Sequence, residues 1–281
     1  MSGASRERFG DLVRGAPDGR FPLDEAAALI AVETLPEGAG RGAETALERD
    51  CRDRLDLLAA QVPGTGPDHT RLARSLGDFH GQAADYDLLS SSILPAVLRR
   101  GRGLPILLSV VWTEVARRAG IDAYGVALPG HFVVGVGDPG TFDAGAVDGS
   151  RVLVDPWRHG ALLPFDRARD LVESTGRPFR RAMLAPAQPR DIVARMLANI
   201  RAWAHDPLRA STRLWAVDLA LLLPDPDPIL LRDRGVALMH LGHYRLGARW
   251  LEEYADLVAE RWPADAEAAR SLACRSRAHL N

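Results

Sequence analysis

One predicted helix has almost no polar face, and it constrains the fold more than any other feature. From Pro105 to Ala119 the residues are apolar with few breaks before Glu114. Proline suits the first helical position because its missing N–H would be unpaired there anyway, and Gly120 suits a left-handed cap. A helix that is apolar nearly all round in its first half has to be enclosed by other elements. The sequence therefore predicts a buried helix with the rest of a domain packed around it.

Strand-like runs follow this helix, namely Ile121–Leu128, His131–Val136 and Arg151–Asp155. Turn residues separate them, namely Pro129–Gly130, Asp138–Pro139–Gly140 and Asp148–Gly149. Such residues favour tight connections between antiparallel strands. A buried helix followed by a short antiparallel meander predicts an α+β core.

Helices dominate the rest of the chain. Those predicted before the core are Leu23–Val32, Ala43–Val62, Thr70–Phe79 and a helix capped by Ser91–Ser92 that ends at Arg100. Those predicted after it are Asp191–His205, Leu208–Leu223, Ile229–Leu241 and Tyr244–Trp262. These predicted elements divide the chain into three parts, namely a helical N-terminal part (1–82), the core (83–184) and a helical tail (185–281). The last helix pair resembles one tetratricopeptide unit, and because one unit cannot bury its own apolar face, we expect the tail to dock on the preceding domain.

Composition excludes several classes of function. The basic and acidic side chains nearly cancel, with a net charge of −2, so no global field favours nucleic acid or a membrane surface. The chain has no lysine, which excludes Schiff-base chemistry and the lysine of a P-loop. Cys51 and Cys274 make neither a disulfide framework nor a zinc site. With no signal peptide evident, we expect a cytoplasmic protein without a cofactor or bound metal.

Two polar residues meet where the predicted strands end. His131 opens the second strand and Asp155 closes the third, so antiparallel pairing brings their side chains together. A carboxylate beside an imidazole orients the ring and stabilises its charged form. The alternative is that each residue only borders a turn.

The motifs around these residues resemble the transglutaminase-like superfamily of cysteine enzymes. Its order of helix, histidine strand and aspartate strand is matched by Arg102–Pro105, Pro129–Phe132 and Val152–Trp157. Further matches resemble one bacterial branch, the SirB type, which joins such a domain to a tetratricopeptide-like tail. They are Asp85–Tyr86, Val97–Leu98, Leu108–Ser109, Glu114–Arg118 and Leu128–Phe132. The resemblance implies a papain-like core in which His131 and Asp155 are catalytic-type residues.

The same resemblance places the superfamily's nucleophilic cysteine at Pro105, which has no nucleophile. It implies a triad remnant beside a cleft formed by Gly103, Pro105, Ser109 and Trp157. The chain departs from the family in having Ser91–Ser92 for Asn-Ser, and Asp155–Gly160 for Asp-Pro-Phe-Asn-Gly-Gly. Both departures border the predicted cleft.

Other assignments are open for several of these residues. Ser109 lies on the same helix face as Pro105 and could replace the thiol, or it could bond back to a carbonyl of its own helix. His131, Asp155 and His159 have the ligand types of a metal site but match no local zinc motif. The clusters Arg99–Arg100–Arg102 and Arg177–Arg180–Arg181 could contact nucleic acid, but solvated faces are expected.

Two functional hypotheses follow. The first is a degenerate transglutaminase-like protein that binds a protein, a peptide or a small ligand and has a regulatory role. The second is a hydrolase or acyl transferase in which Asp155 orients His131 as a general base.

Overall fold

The computed structural model describes residues 3–15, 21–139 and 151–279. The chain divides into two compact units, one formed by Met1–Ser5 with Pro17–Met196 and the other by Arg6–Ala16 with Leu197–Asn281. Among the described residues, no helix has the length and apolar character needed to cross a membrane. The predicted turn at Asp148–Gly149 lies outside the described residues.

Seven α helices precede or flank the sheet in the sequence. They are α1 (Gly3–Gly15), α2 (Leu23–Val32), α3 (Arg41–Ala60), α4 (Asp68–Leu76), α5 (Leu94–Arg100), α6 (Pro105–Arg118) and α7 (Phe165–Glu173). Short 3₁₀ turns lie at Ala83–Asp87, Leu89–Ser92, Pro156–Arg158 and Arg181–Leu184. The predicted cap of α5 is wrong, because Ser91 and Ser92 belong to a 3₁₀ turn and Ile93 is the capping residue.

Helix α6 is the buried helix that the sequence predicts. Pro105 is its first residue, every residue from Ile106 to Ala116 is buried, and Gly120 follows it with a φ of +68°. It packs against α2, α3, α4, α5, β1 (Ala123–Leu128) and β2 (His131–Gly137). Near its end, Arg118 donates to the carboxylates of Asp24, Asp56 and Glu114. The helix therefore joins the N-terminal helices and the sheet in one core.

The sheet is an antiparallel meander with the order β1-β2-β3-β4, in which β3 is Arg151–Asp155 and β4 is Ala161–Leu162. Leu128 pairs with His131 across a two-residue connection, and Gly130 there has a φ of +72°. Proline followed by a glycine with positive φ is the pattern of a type II turn. The α+β fold class is confirmed, and β4 was not expected.

A second apolar cluster covers one face of the sheet. Val133 and Leu153 pack with Ala168 and Val172 of α7, so this helix forms a layer on that face. Helix α7 was not expected from the sequence, because its burial is confined to these two residues on one side of a short, charged segment.

The C-terminal helices are α8 (Pro189–Trp203), α9 (Ala210–Ala220), α10 (Ile229–His240), α11 (Tyr244–Val258) and α12 (Pro263–Ala278). Helices α10 and α11 approach closely at Gly235 and Gly247. A Cβ on Gly247 would lie 2.8 Å from the carbonyl oxygen of Gly235, and one on Gly235 would lie 2.9 Å from that of Gly247. The absence of both side chains permits this backbone contact.

We predict that Gly247→Ala lowers the free energy of unfolding by about 1–3 kcal/mol, because the new methyl group meets backbone and no rotamer relieves the clash. Urea unfolding followed by circular dichroism measures the change. The control is Gly42→Ala in α3, where a Cβ meets nothing within 4 Å. That variant should be neutral or more stable by up to about 1 kcal/mol. Equal stability of both variants would contradict the close helix contact.

Candidate functional site

The ends of β2 and β3 bring His131 and Asp155 together. Val134 pairs with Val154, so continuing the register places Val133 opposite Asp155 and His131 diagonally next to it on the same face. The Nε2 atom of His131 lies 3.0 Å from Oδ2 of Asp155. An ionised carboxylate only accepts hydrogen bonds, so Nε2–H donates and Nδ1 carries the lone pair of a neutral ring.

Asp155 is held by its own loop as well as by the histidine. Its side chain is 4% exposed, and its Oδ1 accepts a hydrogen bond of 3.0 Å from the backbone N–H of Trp157. Arg158 is 3.8 Å from Oδ2 but its side chain is 71% exposed, so it adds little. Both carboxylate oxygens are therefore used, one to order the turn Pro156–Arg158 and one to orient His131, whose side chain is 18% exposed.

A short segment, His80–Gly81, connects this turn with the start of α6. The N–H of His80 donates to Gly101, whereas the N–H of Gly81 donates to the carbonyl of Trp157. A Cβ on Gly81 would lie 1.8 Å from the indole ring of Trp157, so only glycine fits there. The loop before Pro105 and the loop after Asp155 are therefore held through one intervening segment.

The two histidines of these loops stack on each other. The ring centroids of His80 and His159 are 4.3 Å apart, with an interplanar angle of 20°. His159 has a φ of +56°. Its Nδ1–H donates to the carbonyl of Gly77, and the Nδ1 atom of His80 forms a hydrogen bond with the carbonyl of Asp78. His159 is thus bonded away from His131 and Asp155. Among the described residues, no group of three or more His, Cys, Asp or Glu side chains could hold a metal ion.

The four residues of the predicted cleft have different environments. Gly103 is buried, and a Cβ there would meet Val97 at 2.7 Å. Pro105 and Trp157 are half-buried. Ser109 is 1% exposed and donates to the carbonyl of Pro105 at 2.9 Å, so its hydroxyl is bonded within α6 and is not presented to solvent. The indole of Trp157 is also near Tyr86, with ring centroids 5.7 Å apart.

A fully buried carboxylate fixes the segment that carries Tyr86. Asp85 accepts from the N–H of Gln82 and the hydroxyl of Ser91, and it pairs with Arg100 and Arg102 at 3.1 and 3.3 Å. These contacts tie the 3₁₀ turns to the loop before α6. They also show that two of the three arginines in the first basic cluster are structural.

Neither thiol lies on the elements that form this site. Cys51 is a buried residue of α3, and burial is the main cause that raises its pKa to about 12. Cys274 is an exposed residue of α12. A thiol with so high a pKa holds almost no thiolate at neutral pH.

His80 and Gly81 follow the predicted helix Thr70–Phe79, and the sequence did not indicate them as functional residues. Their importance depends on long-range contacts with Trp157 and His159, for which a single sequence carries no signal. Asp85 and Tyr86 had a signal, since they belong to the motifs of the family resemblance.

Comparison with known proteins identifies the family of this chain. Residues 51–198 match the transglutaminase-like superfamily, and the chain belongs to it. Its relatives include a UPF0162 protein of Xylella fastidiosa strain 9a5c, 31% identical over 241 residues that cover 83% of this chain and 82% of the relative. A UPF0162 protein of Pseudomonas aeruginosa is 30% identical over 195 residues, which are 67% of this chain and 68% of the relative. No solved structure matches the chain.

We predict that Asp85→Ala lowers the free energy of unfolding by about 2–4 kcal/mol, because the buried hydroxyl of Ser91 and the N–H of Gln82 lose their acceptor. In the variant, the partly exposed side chains of Arg100 and Arg102 are solvated by water, which limits the loss of stability. Urea denaturation measures it. Asp53→Ala, at an exposed position of α3, is the control and should change stability by no more than about 0.5 kcal/mol. A similar small change for Asp85→Ala would contradict its structural role.

Proposed function

We propose that this chain is a transglutaminase-like protein that has lost cysteine chemistry and acts by binding. The observation that carries the proposal is the pairing of His131 with Asp155 in a chain whose α6 begins with Pro105. Spacing along the motifs puts the superfamily's nucleophile at this proline. In this proposal the chain keeps the histidine and aspartate of a triad, while the position of the nucleophile has no thiol, hydroxyl or amine.

Neither Cys51 nor Ser109 compensates for the proline. A catalytic thiolate requires an exposed site that lowers its pKa, and burial does the opposite at Cys51. The hydroxyl of Ser109 is engaged with its own helix. We therefore assign His131 and Trp157 to recognition of a ligand, with Asp155 orienting His131 and Pro105 at the edge of the binding surface.

In this proposal the protein is a cytoplasmic regulator of the SirB type, and its tail is tetratricopeptide-like. The close contact of Gly235 and Gly247 supports the tail assignment, since small residues where two helices cross are typical of such hairpins. The occupant of the site is a protein segment, a peptide or a small ligand, and not nucleic acid or a membrane.

One observation favours a second function, a hydrolase or acyl transferase. Asp155 leaves Nδ1 of a neutral His131 with its lone pair, and the histidine side chain is partly exposed. A ring oriented in this way could act as a general base on water. Hydrolysis of p-nitrophenyl acetate by the wild type and by His131→Ala separates the two functions. The binding proposal predicts the same background rate for both, whereas a rate that depends on His131 would contradict it.

We predict that Pro105→Cys, made in a Cys51→Ala, Cys274→Ser background, introduces a thiol with a pKa below the roughly 8.5 of free cysteine. The new side chain lies at the first residue of α6, where the helix dipole favours a thiolate. The proposal also puts it beside His131, whose charged form would lower the pKa further. The pH profile of alkylation by iodoacetamide measures this pKa.

The same variant with His131→Ala is the matched control, and its thiol pKa should move back toward the ordinary value. The background protein with Pro105 intact should not react. An ordinary or raised pKa in the Pro105→Cys variant would contradict the placement of the lost nucleophile beside the histidine.

A further inference from the structure

The basic cluster before α6 separates into two groups with different surroundings. Arg100 and Arg102 both pair with the buried Asp85. Arg99 is exposed, and among the described residues no carboxylate or hydrogen-bond acceptor pairs with its guanidinium. Arg100 and Arg102 are therefore occupied by structural ion pairs. The guanidinium of Arg99 is available to bind a ligand.

Arg99 lines an open groove of about 450 Å³ that is distinct from the residues around His131. The groove lies between the end of α2, helix α3, the 3₁₀ turn Leu89–Ser92 and helix α5. Its apolar wall is formed by Leu35, Leu47, Leu89, Ile93, Pro95 and Ala96. This volume is within the range of small-molecule sites, roughly 300–1,000 Å³.

The polar groups of the groove are few and are placed around this apolar wall. They are Thr34, Asp50, Ser90 and Arg99. Asp50 has a partner on its own helix, Arg54, at 3.6 Å. The carboxylate at the groove thus has a nearby cation, whereas no carboxylate in the part of the chain that the structure describes pairs with Arg99.

We propose that this groove binds a monocarboxylate with an unbranched apolar tail, such as a medium-chain fatty acid. The tail lies against Ile93, Pro95 and Ala96, and the carboxylate accepts hydrogen bonds from Arg99. The planar guanidinium matches a carboxylate in geometry as well as in charge. An apolar wall with one unpaired cation selects against both a neutral alcohol and an amine of the same length.

Isothermal titration of the full chain with octanoate, octanol and octylamine tests this selection. Octanoate should bind saturably at one site, and the other two should bind at least about tenfold more weakly, since a charge-assisted hydrogen bond is lost. Equal binding of all three compounds, or no binding of octanoate, would overturn the proposal.

Variants locate the binding site. Arg99→Gln should weaken octanoate at least about tenfold, and Ala96→Leu should weaken it by filling the groove. Arg49→Gln is the matched control, because it removes an exposed charge from α3 without changing the groove lining. Each variant is compared with the wild type by its urea midpoint, which shows that it is folded. Binding that Arg99→Gln and Ala96→Leu both leave unchanged would overturn the assignment.

Discussion

The enclosure of α6 is the constraint on which the first unit depends. A helix that buries every residue from Ile106 to Ala116 needs partners on all sides, and helices α2 to α5 and the sheet supply them. Polar groups at its borders therefore have to be paired. Glu114 accepts from the N–H of Leu23 and from Arg118, and Asp85 pairs with the arginines before Pro105. The loops at the start of α6 are fixed by the same requirement.

The histidine–aspartate pair is part of this fixed frame. Asp155 would be needed even in a purely structural role, because it orders the turn that carries Trp157. That turn in turn contacts Gly81 and packs against α6. None of these contacts requires a thiol at the position of Pro105, so the fold does not depend on cysteine chemistry there.

Much of the fold could be predicted because it depends on local pattern. The bounds of α2 and β3 agree with prediction to the residue, and the turn at Pro129–Gly130 is specified by its own two residues. The short α7 and β4 could not be predicted, since α7 is amphipathic over few residues and β4 has only two. For the site, strand order was enough to pair His131 with Asp155. The contact between Gly81 and Trp157 could not be predicted, because it depends on segments far apart in the chain. Ser109 was predicted to line the cleft, but its hydroxyl donates to a carbonyl of its own helix.

The central claim is that Asp155 holds His131 in one orientation through Nε2–H. Nuclear magnetic resonance of the imidazole ¹⁵N–¹H groups tests it directly. The account predicts a protonated Nε2 on His131 whose proton exchanges more slowly than that of the exposed His243, and loss of this protection in Asp155→Ala. A His131 with an unprotonated Nε2, or with exchange as fast as that of His243 in the wild type, would contradict the account.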